Sequence, residues 1–135
     1  NVFAGYSEIE QISDVGDRIQ KTIGATYAIG GATIGYQWSH DDNAAVGSTT
    51  DYYENHAYGI SFAVNDDLSI SFGSQKSDRS KWGGSAIVEA KAESLQIGYS
   101  MGGATLSIAE TNGENLNYNS ATDKDATTVA LSLAF

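Results

Sequence analysis

Apolar and polar residues alternate with a period of two along most of this chain, which is the periodicity of β-strands. A helical period is weak throughout. The alternation predicts eight strands, at residues 1–10, 18–29, 32–40, 52–64, 68–77, 88–100, 104–111 and 125–135. We therefore expect an all-β protein that forms, at 135 residues, a single domain over 1–135.

The connections between these strands alternate in length. Three are tight, and their residues, "GG" at 30–31, "NDD" at 65–67 and "MGG" at 101–103, supply the positive φ angles that hairpin turns require. The others are long and polar, around 11–17, 41–51, 78–87 and 112–124. This alternation is typical of an antiparallel up-and-down sheet with a tight-turn end and a long-loop end.

The two faces of the predicted strands differ in composition. One, the small-residue face, consists almost wholly of Gly, Ala, Ser, Thr and Gln. It cannot fill a protein core, because a core needs large side chains packed to high density. We therefore expect it to contact water and the opposite face to contact lipid. That opposite, apolar face comprises Val2, Ala4, Tyr6, Ile23, Ala25, Tyr27, Ile29, Ala32, Ile34, Tyr36, Trp38, Tyr58, Ile60, Phe62, Val64, Leu68, Ile70, Phe72, Leu95, Ile97, Tyr99, Met101, Ala104, Leu106, Ile108, Val129, Leu131, Leu133 and Phe135.

Charged residues are nearly absent from the tight-turn end of the predicted sheet. Only Asp66 and Asp67 lie there, and the stretches 22–39, 94–109 and 126–135 contain no charged residue, in a chain of net charge −10. A soluble sheet has no reason to exclude charge from a whole layer. A bilayer does, because a charged side chain on the lipid face of a barrel costs about 2–4 kcal/mol near the midplane.

Polar residues resume on the apolar face toward the long loops and form a rim: Lys21, His40, Glu54, His56, Lys91, Glu93, Glu110 and Asp125. The rim leaves an apolar band of about four outward residues per strand, about 20 Å tall for strands tilted by roughly 45°. Outward aromatic residues are predicted to contact lipid and form an interfacial belt: Tyr27, Tyr36, Trp38, Tyr58, Phe62, Phe72 and Tyr99.

A membrane-spanning sheet must close, because unpaired backbone groups are not tolerated in lipid. Eight strands close into a barrel whose interior is just wide enough for side chains to fill. The small residues predicted to face inward would not fill it. They suit the wall of a wider, water-filled transmembrane β-barrel, of which these eight strands would be about half.

Four stretches carry a repeated pattern of glycine-dotted strand, tight turn and glycine-dotted strand: "IGATYAIGGATIGYQWS" (23–39), "HAYGISFAVNDDLSISFGSQKS" (56–77), "ESLQIGYSMGGATLSIAE" (93–110) and the last strand, "TTVALSLAF" (127–135). Together they resemble the C-terminal portion of general porins of the Gram-negative outer membrane, above all those of alphaproteobacteria. The resemblance covers nearly the whole chain.

This resemblance implies a 16-stranded barrel, a homotrimer, localisation in the bacterial outer membrane, and contact with its lipid and lipopolysaccharide. It also implies that the barrel-assembly machinery recognises Val129, Leu131, Leu133 and Phe135, with Phe135 as the natural terminus and the other half of the barrel preceding Asn1. The family's inward-folded constriction loop lies in that other half, so no eyelet residue is transferred to this chain.

The favoured function is an ion-transport and diffusion channel for small hydrophilic solutes. The acidic loops are expected to enrich cations at its mouth, an effect that salt should weaken. The residues predicted to line the pore are Gln20, Thr22, Thr26, Thr33, Gln37, Ser39, Ser61, Ser69, Ser71, Gln75, Ser94, Gln96, Ser100, Ser107, Thr128 and Ser132.

Two other functions stay open. A complete eight-stranded outer-membrane barrel could act as an adhesin or structural binding protein through its acidic loops, and would require the first and last strands to pair. A secreted soluble β-protein would instead be monomeric without detergent. An enzyme is not expected, because the chain has no nucleophile elbow, P-loop, metalloprotease or dinucleotide motif. The acidic charge also argues against nucleic acid as a partner.

No cofactor is expected. The carboxylates of "HDD" (40–42) and "DKD" (123–125) are the candidates for Ca²⁺ or Mg²⁺, which prefer several oxygen ligands. Neither stretch has an ordered calcium-loop pattern, and solvated loop charge is the favoured interpretation. His40 and His56 are interpreted as rim residues rather than as a metal-binding pair.

Overall fold

A computed structural model describes residues 1–10, 16–43, 50–83 and 87–134. The elements are eight strands and one short 3₁₀ turn, η1: β1 (Val2–Ile9), β2 (Arg18–Ile29), β3 (Ala32–Asp42), β4 (Thr50–Ala63), β5 (Leu68–Lys81), β6 (Val88–Met101), β7 (Ala104–Glu114), η1 (Leu116–Tyr118) and β8 (Lys124–Leu133). No helix in these ranges is long and apolar enough to cross a membrane.

The strands form one antiparallel up-and-down sheet in the order β1-β2-β3-β4-β5-β6-β7-β8. Each strand pairs with its neighbour in sequence, so the all-β meander is confirmed. Among the described residues β1 and β8 do not pair with each other, and the sheet is therefore open.

The three tight connections are built as their residues predict. Gly30 has φ +55°, and Gly102 and Gly103 have φ +53° and +88°, a region that costs glycine little because it has no Cβ. At the turn of residues 65–67 the side-chain Oδ1 of Asn65 accepts hydrogen bonds from the backbone N–H of Asp67 at 2.9 Å and of Leu68 at 2.8 Å. This Asx turn fixes the register of the β4–β5 hairpin.

Five strands extend farther toward the loop end than the sequence pattern indicated: β3, β4, β5, β7 and β8. Strand β5 continues to Lys81 and β7 to Glu114, so parts of the predicted loops at 78–87 and 112–124 are paired sheet instead. The prediction ended each strand where apolar alternation stopped. Backbone pairing continues past that point, as where Lys91 is the register partner of Glu114, because polar side chains there are solvated or paired, as Lys91 is with Glu93.

The sheet buries no core of its own. Within the described ranges no apolar side chain is buried, and residues from the middle of the apolar face, such as Ile97 at 44% and Leu131 at 64%, stay exposed. A single sheet offers nothing against which one face can pack. The apolar face therefore needs a cover that the described chain does not supply.

Candidate functional site

Strand register separates the two faces as the sequence pattern predicts. Directly paired residues lie on the same face of a sheet. One row across the middle of the apolar face is Ile34, Ile60, Phe72 and Leu95, and the row beside it on the other face is Gly35, Gly59, Gly73 and Ser94. All the residues predicted to line a pore, from Gln20 to Ser132, lie on the small-residue face by this register.

The apolar face carries all the aromatic residues predicted to contact lipid, including Tyr27, which is 65% exposed. Val2, Ala4 and Tyr6 of β1 belong to it as well, because they pair with Ala25, Ile23 and Lys21. On β8, register assigns Val129, Leu131 and Leu133 to this face through Ile108, Leu106 and Ala104. Phe135, the fourth residue of the predicted assembly signal, lies outside the described residues.

The polar rim of the apolar face is a chain of short contacts. Glu54 lies between the two histidines: its Oε1 is 3.1 Å from His56 Nε2, and its Oε2 is 3.8 Å from His40 Nδ1. Tyr36 Oη lies 2.8 Å from His56 Nδ1. Farther along, Lys76 pairs with Glu89 at 3.2 Å and Lys91 with Glu93 at 3.0 Å. From the sequence, the two histidines were interpreted as isolated rim residues. Glu54 and His56 are close on β4, and the pairing of β3 with β4 brings His40 to the same carboxylate.

The carboxylates proposed for Ca²⁺ or Mg²⁺ do not converge. Successive residues of a strand point to opposite faces, so Asp41 lies on the small-residue face and Asp42 on the apolar face. Asp125 accepts a hydrogen bond from the Asn112 amide at 2.6 Å, and Asp123 accepts one from the backbone N–H of Asn115 at 2.9 Å. Within the part of the chain that the structure describes, no group of three or more His, Cys, Asp or Glu residues could hold a metal ion.

On the small-residue face, Arg18 and Asp41 form an ion pair at the loop end. Arg18 Nε donates to Asp41 Oδ1 at 2.8 Å, and Nη2 donates to Oδ2. This hydrogen bonding lowers the pKa of Asp41 against an opposing effect of partial burial, and raises the pKa of Arg18. Both residues lie beyond the charge-free stretch 22–39. Asp41 borders a depression of about 460 Å³ between β1 and β4, whose other polar lining residues include Gln37, Ser39 and Asn55.

A second polar cluster on this face, the Arg79 cluster, consists of Tyr53, Asn55, Ser77, Arg79 and Tyr118. The Arg79 guanidinium lies over the Tyr118 ring, 4.7 Å from its centroid, and Nη2 donates to the Tyr118 carbonyl at 3.4 Å. The Tyr118 hydroxyl is 2.6 Å from Ser77 Oγ, which donates to Asn55 Oδ1 at 2.5 Å. The rings of Tyr53 and Tyr118 are 5.5 Å apart. Residue 118 therefore reaches back across β6 to β5 and β4.

The segment that carries Tyr118, residues 115–123, is folded onto the small-residue face and held there by local contacts. Asn115 donates from its side-chain amide to the Glu89 carbonyl at 2.9 Å, and the backbone N–H of Leu116 donates to the Thr122 carbonyl at 2.8 Å. Asn115, Asn117 and Tyr118 have φ angles of +51°, +58° and +55°. Asn adopts this left-handed region readily, whereas a bulky Tyr does so only where surrounding contacts compensate the strain.

Sequence reasoning missed the Arg79 cluster because it took residues 78–87 and 112–124 as solvated loops. One signal was available: continuing the alternation of β5 from Gln75 through Ser77 assigns Arg79 to the small-residue face. Nothing in the sequence indicates that Tyr118, 39 residues away, would meet it.

In comparisons with known proteins, no protein-family model, no curated protein sequence and no solved structure matches this chain. The geometry of the two faces and of the loop-end clusters is therefore what bears on function.

Proposed function

We propose that this chain forms part of the wall of a water-filled transmembrane β-barrel, a diffusion channel of general-porin type in the bacterial outer membrane. Small hydrophilic solutes and ions would pass along the small-residue face. The observation that carries the proposal is the contrast between the two faces of one open sheet: large apolar side chains stay exposed on one, and Gly, Ala, Ser, Thr and Gln cover the other.

Lipid is the cover that best fits the apolar face. Its central residues, such as Ile60, Phe72 and Leu95, are uncharged. The first charge toward the loop end lies one register row nearer the tight turns on each successive strand: Glu54 on β4, Lys76 on β5, Glu93 on β6 and Glu110 on β7. A protein partner would not need this confinement of charge to one end of every strand. A bilayer needs it, since charge on the lipid face is costly near the midplane and tolerated near the interface. Trp38 and Tyr36 at this boundary suit the interfacial belt of such barrels.

The open edges support a barrel larger than eight strands. In lipid, the unpaired backbone groups of β1 and β8 require partners. The adhesin alternative requires β1 to pair with β8, and that pairing is absent among the described strands. Further strands would complete a wide lumen that the small inward residues leave open to water, with a 16-stranded, trimeric assembly as the proposed form. The intact mass of the native protein measures whether its polypeptide contains them.

Labelling of single cysteines during conductance recording tests this function. The chain has no cysteine, so Ser71→Cys and Phe72→Cys can each introduce one on adjacent positions of β5 that face opposite sides. The native protein in a planar lipid bilayer should show steady, water-filled conductance. A charged, water-soluble thiol reagent should reduce the current through Ser71→Cys and leave Phe72→Cys unchanged, because the latter side chain would face lipid.

Two results would contradict the proposal. One is the lack of any conductance from protein that is folded and inserted in the bilayer. The other is equal reaction of both cysteines with the water-soluble reagent, which would mean that both faces of β5 contact water, as in a soluble β-protein.

A further inference from the structure

The two faces of the sheet carry opposite charge at the loop end. By register and strand alternation, the basic residues Arg18, Arg79, Lys81 and Lys124 lie on the small-residue face, and Asp41 is the acidic strand residue assigned to it. Asp51 falls in the irregularity between Thr50 and Tyr53 and is assigned to neither face. Counted with or without Asp51, the strand residues of this face are net positive, and the face stays net positive when Asp123 of segment 115–123 is also counted.

The acidic strand residues lie mainly on the other side. Alternation assigns to the apolar face, at its rim, Glu8, Asp42, Glu54, Asp78, Glu89, Glu93, Glu110, Glu114 and Asp125. The net charge of −10 therefore does not describe the surface along which solutes would move. A permeating ion responds to the nearest fixed charges, because salt screens those farther away than about 10 Å at 0.1 M.

Arg79 is a positive charge of this face that lies against an aromatic ring rather than a carboxylate. Its guanidinium lies on the Tyr118 ring, and no carboxylate within the described ranges lies within 4.0 Å to pair with it. Its buried Nε has no hydrogen-bond partner there. By contrast, the charge of Arg18 is balanced by Asp41. Arg79 thus keeps an unneutralised positive charge on the small-residue face.

The segment 115–123 brings Tyr118 to this charge. Tyr118 bridges from the β7–β8 connection to Ser77 and Arg79 on β5, across the intervening strand β6. The strained φ of +55° at Tyr118 persists because these contacts hold the residue in place. A solute moving along the wall at the loop end would pass close to both side chains.

We propose that Arg79 makes the channel prefer anions, with small inorganic and carboxylate anions as the favoured solutes, and that Tyr118 positions its guanidinium. This inference rests on the proposed channel function. It opposes the cation preference expected from the acidic loops, since the charge nearest the permeation path is basic.

Reversal potentials across a KCl gradient in planar bilayers test the proposal. At about 0.1 M salt the native protein should be more permeable to chloride than to potassium. Arg79→Gln should lower the chloride-to-potassium permeability ratio about two-fold or more, and Arg79→Lys should restore most of it. The difference between the native protein and Arg79→Gln should shrink at about 1 M salt, where the screening length falls to about 3 Å.

Lys76→Gln is the matched control. It removes a charge of the same sign from the same strand, on the apolar face, and should leave the ratio unchanged. Lys124→Gln provides a second test in case the Arg79 variants misfold. It removes an exposed positive charge from the small-residue face and should also lower the chloride-to-potassium permeability ratio. Tyr118→Ala, which removes the ring beneath the guanidinium, should lower the ratio, whereas Tyr118→Phe, which keeps that ring, should retain most of the preference.

The outcomes separate this inference from the function on which it rests. A channel that prefers potassium at low salt, or whose ratio responds equally to Arg79→Gln and Lys76→Gln, would overturn the role of Arg79 and leave the channel function intact. Folded, inserted protein without conductance would overturn both.

Discussion

Leu116 lies directly over Gly113 on the small-residue face. A Cβ built on Gly113 would be 3.0 Å from Leu116 Cδ2 and 3.2 Å from Cδ1, which is too close for an undisturbed fit. Gly113 is at the end of β7, and Leu116 begins η1, the turn that leads to Tyr118. The missing side chain at position 113 therefore lets segment 115–123 fold down onto the sheet.

Gly113→Val should loosen this segment. Overpacking of this kind costs about 1–3 kcal/mol, so amide exchange at Leu116, whose N–H bonds to Thr122, should accelerate at least about five-fold. Hydrogen exchange measured by mass spectrometry on the protein in detergent would detect the change. Gly73→Val is the control, because a Cβ there meets only the Tyr58 carbonyl at 4.0 Å. Equal acceleration in both variants would contradict the packing role of Gly113.

The ion pair of Arg18 with Asp41 should make stability depend on acid pH. The hydrogen bond from Arg18 lowers the pKa of Asp41 below its ordinary value of 3.8. Its stabilising effect is thus present above that ordinary value and is lost as pH falls through the lowered pKa of the folded state. Because both side chains are partly exposed, the effect should be about 1 kcal/mol or less.

Thermal unfolding in detergent between about pH 2 and pH 6 measures this effect. Asp41→Asn should melt below the native protein at the upper end of the range and together with it at the lower end. Asp66→Asn, at the tight-turn end of the sheet, serves as the control and should not reproduce this convergence. A difference between native protein and Asp41→Asn that stayed constant with pH would show that the pair does not titrate as described.

A charge placed on the apolar face should impair membrane folding, whereas the same charge one residue away should not. Ile97 pairs with Ile70 and Ile108 on the apolar face, and Gln96 pairs with Ser71 and Ala109 on the small-residue face. Ile97→Arg should cost about 2–4 kcal/mol if it lies near the bilayer midplane, and Gln96→Arg should cost much less. Urea titration of folding into lipid vesicles measures both. The opposite order would mean that the lipid face has been assigned to the wrong side.

The two tryptophans of the chain should report two environments. Trp38 lies on the apolar face next to the rim, its ring stacked 6.0 Å from that of His40. Trp82 follows β5 and is 55% exposed. In protein whose only tryptophan is Trp38, brominated acyl chains should quench the fluorescence strongly. When Trp82 is the only tryptophan, aqueous iodide should quench its fluorescence and brominated lipid should not. If iodide but not brominated lipid quenched the fluorescence of Trp38, that result would contradict lipid contact at Trp38.

The sheet and its two faces could be predicted because they follow from local rules. A period of two assigns each residue of a strand to a face, and Gly, Asn and Asp at 30–31, 65–67 and 101–103 mark the turns. Even Val2, Ala4 and Tyr6 on the less regular first strand were assigned to the correct face. The polar strand ends were missed, since neither Lys81 nor Glu114 belongs to an apolar alternation.

The sequence by itself thus determined the strands, their order and the chemical contrast between their faces. The three strand pairs joined by tight turns have little choice of partner, and the alternation of short and long connections indicated the rest of the meander. Only the tertiary structure decided which distant side chains meet. Tyr118 reaches Arg79, and His40 and His56 share Glu54, through register and through the path of segment 115–123. Among the residues that the structure describes, β1 and β8 are also not paired with each other. Such contacts depend on the position of whole strands, which no local pattern encodes.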